Sequence, residues 1–233
     1  MARIFEKSQH PAENIGEKHL ACAVLIDTSG SMHGYEKALE DALKELKETI
    51  MEDDIARGRV EISVITFDDD VHEVVPFGPI RKMEIPRIDC GGMTCTHAAI
   101  QLALDRTSER KEEYKRNGMQ YNQPWIWLFT DGQSNDPDNG SFAELLRRQN
   151  EKKLVFYGVG LGSEVDEKEL GSMHKNGMIL KAARENIRNA FEFLIVDIVD
   201  LLYKPFTYYE FHEWLEMAAG KDLEVSFIPV DTI

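Results

Sequence analysis

Residues 23–34 read AVLIDTSGSMHG: four apolar residues, one carboxylate, three hydroxyls in four positions, and a glycine-flanked exit. The apolar run has no polar alternation, so it predicts a strand buried on both faces, as in a parallel sheet covered by helices. In such sheets ligands bind beyond the carboxyl ends of the strands. Asp27, Ser29 and Ser31 alternate just past that end, so a turning loop aims three oxygens at one point. One carboxylate and two neutral hydroxyls suit a hard divalent cation, Mg²⁺ first, with Mn²⁺ or Ca²⁺ as substitutes.

Working outward, further apolar runs fall at 60–67, 71–77, 125–130, 153–159 and 178–182, separated mostly by stretches with helical spacing. This alternation predicts an α/β fold: a doubly wound, mainly parallel sheet with helices on both faces. VEISVITF at 60–67 and VHEVVPF from Val71 flank a short acidic turn and predict an antiparallel hairpin, which makes one sheet edge antiparallel. Helices are expected over about 34–56, where Leu39, Ala42, Leu43, Leu46, Ile50 and Ile55 recur at helical spacing, and over 96–117, 141–151 and 185–203. Residues 1–17 are polar and broken by Pro11 and Gly16, and read as an N-terminal arm. Residues 18–204 are read as the domain, and the aromatic segment 205–233 as an extension that forms an extra helix and strand packed on the domain's own surface, with a docking surface for a partner as the alternative.

Composition narrows the function. The 233 residues carry 27 Lys plus Arg against 42 Asp plus Glu, a formal charge of -15, which repels nucleic acid and anionic membranes. No apolar run approaches the ~20 residues of a membrane span, and the polar start lacks a signal-peptide core, so the expected location is the cytoplasm. Three cysteines do not suggest a disulfide framework. Cys90, Cys95 and His97 cluster in sequence but lack a fourth ligand and the usual zinc spacing.

Two further groups join the first at predicted strand ends. WIWLFTDGQSND ends its apolar run in Thr130, Asp131 and Gly132, and DCGGMTCTHAAI presents Thr94 after a glycine pair, with Thr96 as its rival. These three motifs, in this order, resemble the metal-ion-dependent adhesion site of von Willebrand factor type A domains. The order of LIDTSGSM, ISVITF, CGGMTCTHAAI, WIWLFTDGQSND and VFYGVGLG is also similar to the bacterial TerY/YegL-like branch, associated with tellurium resistance and stress systems. The resemblance implies that Ser29, Ser31 and Thr94 ligate the cation directly. Asp27 and Asp131 then act directly or through water. Ala99, five residues after Thr94, matches the family spacing and favours Thr94 over Thr96, although Met93 is inserted before it. The acidic turn Asp68, Asp69 and Asp70 reads as a solvated turn, with a direct metal role as the alternative.

The resemblance further implies a non-catalytic module in which an Asp or Glu of a partner protein completes the coordination shell. A metal-dependent phosphohydrolase and a structural subunit with a stabilising metal are the alternatives. Against the enzyme, the chain has no G-x-x-x-x-G-K-[ST] loop and no G-x-S-x-G elbow, and Ser29 replaces the second acid of a D-x-D pattern. Oligomeric state and the partner's identity are not encoded in these motifs.

Overall fold

The computed structural model describes residues 18–203 and 211–229. The proposed N-terminal arm and the first aromatics of the extension lie outside them. Seven strands form one sheet in the order β3-β2-β1-β4-β5-β6-β7. β1 (Leu20–Asp27), β2 (Val60–Phe67), β4 (Trp125–Thr130), β5 (Val155–Leu161) and β6 (Met178–Ala182) run parallel. β3 (Val71–Val75) is the antiparallel edge expected from the hairpin, and it stops at Pro76, which has no ladder donor. The opposite edge is antiparallel as well, because β7 (Glu224–Phe227), from the C-terminal extension, pairs with β6.

The doubly apolar strands are explained by the two layers they separate. On one face Cys22, Val24, Ile26, Trp127 and Phe129 pack with Leu39, Leu43 and Leu46 of α1 (Glu36–Glu52) and Phe191, Leu194 and Ile198 of α6 (Ile187–Tyr203). On the other, Ala23, Leu25, Ile65, Ile126 and Leu128 meet Ala99, Ile100 and Ala103 of α3 (Thr96–Arg116), Leu145 of α4 (Ser141–Asn150) and Leu170 of α5 (Glu167–Ser172). β1, with hydrogen-bonded neighbours on both sides and a helix layer on each face, has every residue buried.

The long first helix of the sequence reading is divided. Gly34 takes φ +92°, outside the helical range, so α1 begins at Glu36 rather than at 34, and residues 30–32 ahead of it form a 3-10 turn. At the other end Asp53 Oδ1 accepts the N–H groups of Ile55 and Ala56, opening a second short helix, α2 (Ala56–Arg59). Helix α5, unanticipated, is capped by Asp166, which accepts from Lys168 and Glu169 N–H. In the extension, α7 (Phe211–Ala219) leads to β7, and Ala218 and Leu223 are buried in the larger core cluster.

The turn between α5 and β6 yields a pH-dependent expectation. His174 Nδ1 accepts the backbone N–H groups of Asn176 and Met178, and burial, with a smaller contribution from Lys175, pulls its pKa down to about 4. The unfolded chain therefore binds a proton here that the folded chain does not. Stability from this group is present above pH 6.5 and is lost as pH falls towards 4, by up to about 3 kcal/mol. Urea titrations at pH 7 and pH 4.5 should show that loss, and His174→Asn, which keeps an acceptor without the titration, should reduce it.

Candidate metal centre

The strand order changes direction at β1: the chain continues to β2 on one side and returns to β4 on the other. The crevice at the ends of β1 and β4 is thus the topological switch point. Ile26 stands opposite Phe129 in the register, so Asp27 closes β1 beside Thr130, and Asp131 follows immediately. Both carboxylates are fully buried.

Their hydrogen bonds define one connected cluster. Asp27 Oδ1 accepts from Ser29 N at 2.8 Å and Oδ2 from Thr130 Oγ1 at 2.6 Å. The Ser29 and Ser31 hydroxyls lie 3.1 Å apart, and Ser31 Oγ donates to Asp131 Oδ1 at 2.7 Å. Four of the five sequence-derived residues are therefore joined, Asp27 through the Ser29 backbone N–H and Ser29, Ser31 and Asp131 through hydroxyl and carboxylate oxygens. Thr94 is the fifth: its Oγ1 would lie 3.6 Å from a Cβ placed on Gly132, so its hydroxyl faces the Asp131–Gly132 turn. Its rival, Thr96, is the first residue of α3.

The loop before α3 is built to hold Thr94 there. Gly30 N donates to Gly92 O and Gly91 N to Thr28 O, tying it to the first motif. Thr94 N donates to Asn135 Oδ1 and Thr94 O accepts from Asn135 N, tying it to the third. Asp136 accepts from His97 and Ala98 N–H and so caps α3 from across the crevice. The acidic turn does more than face solvent. Asp69 Oδ1 accepts from Met93 N, Asp68 O accepts from Cys95 N, and Thr28 Oγ1 reaches Asp68 Oδ2 at 3.4 Å. A Cβ on Gly92, which has φ +74°, would stand 2.6 Å from Asp69 Oδ2. The inserted Met93 is thereby accommodated by a left-handed glycine over an aspartate, and its side chain projects outward, 56% exposed.

The donor chemistry fits a hard cation. Burial, opposed by hydrogen bonds from Ser29 and Thr130 and reinforced by the charge of Asp131, holds the Asp27 carboxyl above its ordinary pKa. The same negative field reaches Cys90, whose thiol is pushed up to about 12 by burial first and then by Glu36, Asp27, Asp131 and Asp68. Two buried carboxylates in a field of this sign favour a positive ion, and the surrounding hydroxyls offer further oxygen ligands. Ser31 is exposed, so one side of the cluster is open. Among the described residues no group of three or more His, Cys, Asp or Glu is placed to hold a metal. Cys90, Cys95 and His97 have separate surroundings: Cys95 Sγ donates to Asp69 O, and His97 stacks on Phe142 at 3.9 Å.

Four contributors escaped the sequence reading. Thr130 carried a weak signal, a hydroxyl directly before the acid, and Asn135 and Asp136 stood in the same quoted motif without an assigned role. Arg184, whose Nη2 lies 2.6 Å from Asp131 Oδ2, carried none, since it lies in the connection from β6 to α6, far from every motif.

A model of the von Willebrand factor type A domain matches residues 23–192. Among solved structures, proximal thread matrix protein 1 from the mussel byssus superposes with a TM-score of 0.55 at 17% identity, covering 79% of this chain and 46% of that one. A form of that protein described as having a zinc-occupied MIDAS motif gives a TM-score of 0.53 at 18% identity, covering 78% and 46%. The vWF domain of the type V pili tip protein Mfa5 from Porphyromonas gingivalis gives 0.59 at 11% identity, covering 82% and 98%. At these identities the likeness is one of fold, and the chain spans a little under half of the mussel protein. No curated protein matches in sequence. Among the described residues no helix is long and apolar enough to cross a membrane.

Proposed function

The chain belongs to the von Willebrand factor type A family, and from that premise we propose that it is a non-catalytic protein-binding module whose metal-ion-dependent adhesion site recruits an acidic residue of a partner. The observation that carries this reading is the single cluster formed by Asp27, Ser29, Ser31 and Asp131, with Thr94 against the next glycine. Ser29, Ser31 and Thr94 would contribute hydroxyl oxygens, and Asp27 and Asp131 carboxylates, directly or through water. When bound, a divalent cation supplies an electrophilic point for one carboxylate oxygen of a partner. The zinc-occupied site of the mussel protein supports a divalent ion in a site of this type. The all-oxygen donor set here favours Mg²⁺, with Mn²⁺ next.

The chain's own residues account for selectivity. The neutral hydroxyls add no negative charge beyond that of the two carboxylates, which keeps the ion electrophilic, and the open side at Ser31 and Met93 admits a side chain from outside. A surface of charge -15 slows an acidic partner, so the partner presents basic residues around its one essential acid. His33 does not supply a base to this site: its ring pairs with Glu36 at 2.9 Å and is 80% exposed. In this proposal the location is the cytoplasm and the module serves a bacterial stress-response system, a reading that rests on the resemblance of its motif order to the TerY/YegL-like branch.

The test is co-purification in Mg²⁺ with the intact chain. Partner capture should fall at least tenfold on chelation and equally with Thr94→Ala, because removing one ligand weakens the ion that the partner's acid needs. Capture indifferent to both would contradict the proposal.

A further inference from the structure

Arg184 reaches the metal centre from two strands away. It lies in the 3-10 turn Arg184–Asn186 that follows β6, whereas Asp131 follows β4, with β5 between them in the sheet. Its path crosses the end of β5 at Gly162, whose N–H donates to Ala182 O. A Cβ on Gly162, at φ +85°, would stand 3.0 Å from Arg184 Nε and 3.1 Å from its Cγ. The missing side chain is what lets the guanidinium lie across the strand end. There its Nη2 meets Asp131 Oδ2 at 2.6 Å, while Oδ1 of the same carboxylate accepts from Ser31.

We infer that Arg184 is a built-in counter-cation that competes with the divalent ion for Asp131, so that loading the site requires the guanidinium to give way. The inference rests on the metal-site reading above. Three features favour competition over simple orientation of the carboxylate. Asp131 is already positioned by the end of β4 and by Ser31, so it does not need the arginine to aim it. A guanidinium against Oδ2 neutralises one of the two buried negative charges that would attract the ion. The contact is also a single-nitrogen one: Arg184 Nε is buried without a hydrogen bond, so the pair lacks the two-pronged geometry of a strong arginine–carboxylate clamp. Arg184 thus acts through Asp131 as a competing counter-charge that sets how readily the site fills.

Titration calorimetry with Mn²⁺ alone distinguishes the possibilities. Arg184→Gln should bind Mn²⁺ about tenfold more tightly than the unmutated chain, about 1.4 kcal/mol. In chelator it should melt at a lower temperature, since Asp131 loses its counter-charge. Arg184→Lys, which keeps the charge, should stay within about threefold of the unmutated affinity. An affinity of Arg184→Gln equal to or weaker than that of the unmutated chain would overturn the inference. If that variant does not fold, the Arg184 Nε–H resonance of the unmutated protein provides the test: it should shift on saturation with Mg²⁺, and an unchanged resonance would overturn the inference. Absence of Mn²⁺ binding in the unmutated chain and the variants alike would instead defeat the metal-site reading itself.

Discussion

Asp131→Asn should abolish the response of the protein to divalent ions. The substitution preserves volume at a fully buried position, and an amide can still accept from Ser31. What it removes is one of the two negative charges in the crevice. Even partners that only orient a metal ligand are worth 10–100-fold in affinity, so loss of a carboxylate in the cluster itself should weaken Mn²⁺ by at least about 100-fold. In the unmutated chain, Mg²⁺ or Mn²⁺ should raise the melting temperature by binding only the folded state. Asp131→Asn should melt at the same temperature with and without the ion. Because Arg184 then faces an uncharged amide, the variant should also be less stable in chelator, by about 1–3 kcal/mol. A variant that retained the full thermal response would remove Asp131 from the site.

The second large effect is expected in the core beneath that crevice. Phe129 has no exposed surface, stacks on Phe191 of α6 with ring centroids 4.4 Å apart, and lies on β4 just before Thr130, the strand's last residue, and Asp131, which follows it. Phe129→Ala should cost about 3–5 kcal/mol, the lost burial plus the cavity left between the sheet and α6. Urea unfolding should show a lower midpoint with little change in slope. A loss below about 1 kcal/mol would mean that α6 does not pack on β4 as described.

The parts of this molecule that were legible in the sequence are those where a local pattern and a global constraint agree. The unbroken apolar run of β1 requires cover on both faces, and the order of strands and helices then places its end at a switch point. Asp27, Ser29 and Ser31 could be read together because they are neighbours on one loop, and Asp131 because a second strand ends in the same way. What was not legible depends on contacts distant in the chain. Nothing in residues 34–56 distinguishes one helix from two until Asp53 captures the N–H groups of Ile55 and Ala56. A helix and a strand were expected in the extension, but that the strand, β7, makes a second antiparallel edge follows from the unpaired edge β6 offers it, which no feature of residues 224–227 announces. The Asp68–Asp70 turn resembled any solvated acidic turn until Asp69 was seen beneath Gly92 and Met93. Arg184 is the extreme case: its role follows from the glycine at 162 and the carboxylate at 131, neither adjacent to it in sequence.

The central claim is that the oxygens gathered at the ends of β1 and β4 hold one divalent ion. Adding Mn²⁺ stepwise to the chelator-treated chain, and following free Mn²⁺ by electron paramagnetic resonance, measures this directly. One equivalent per chain should bind before the free signal rises; a signal that rises from the first addition, as in buffer without protein, would rule the site out.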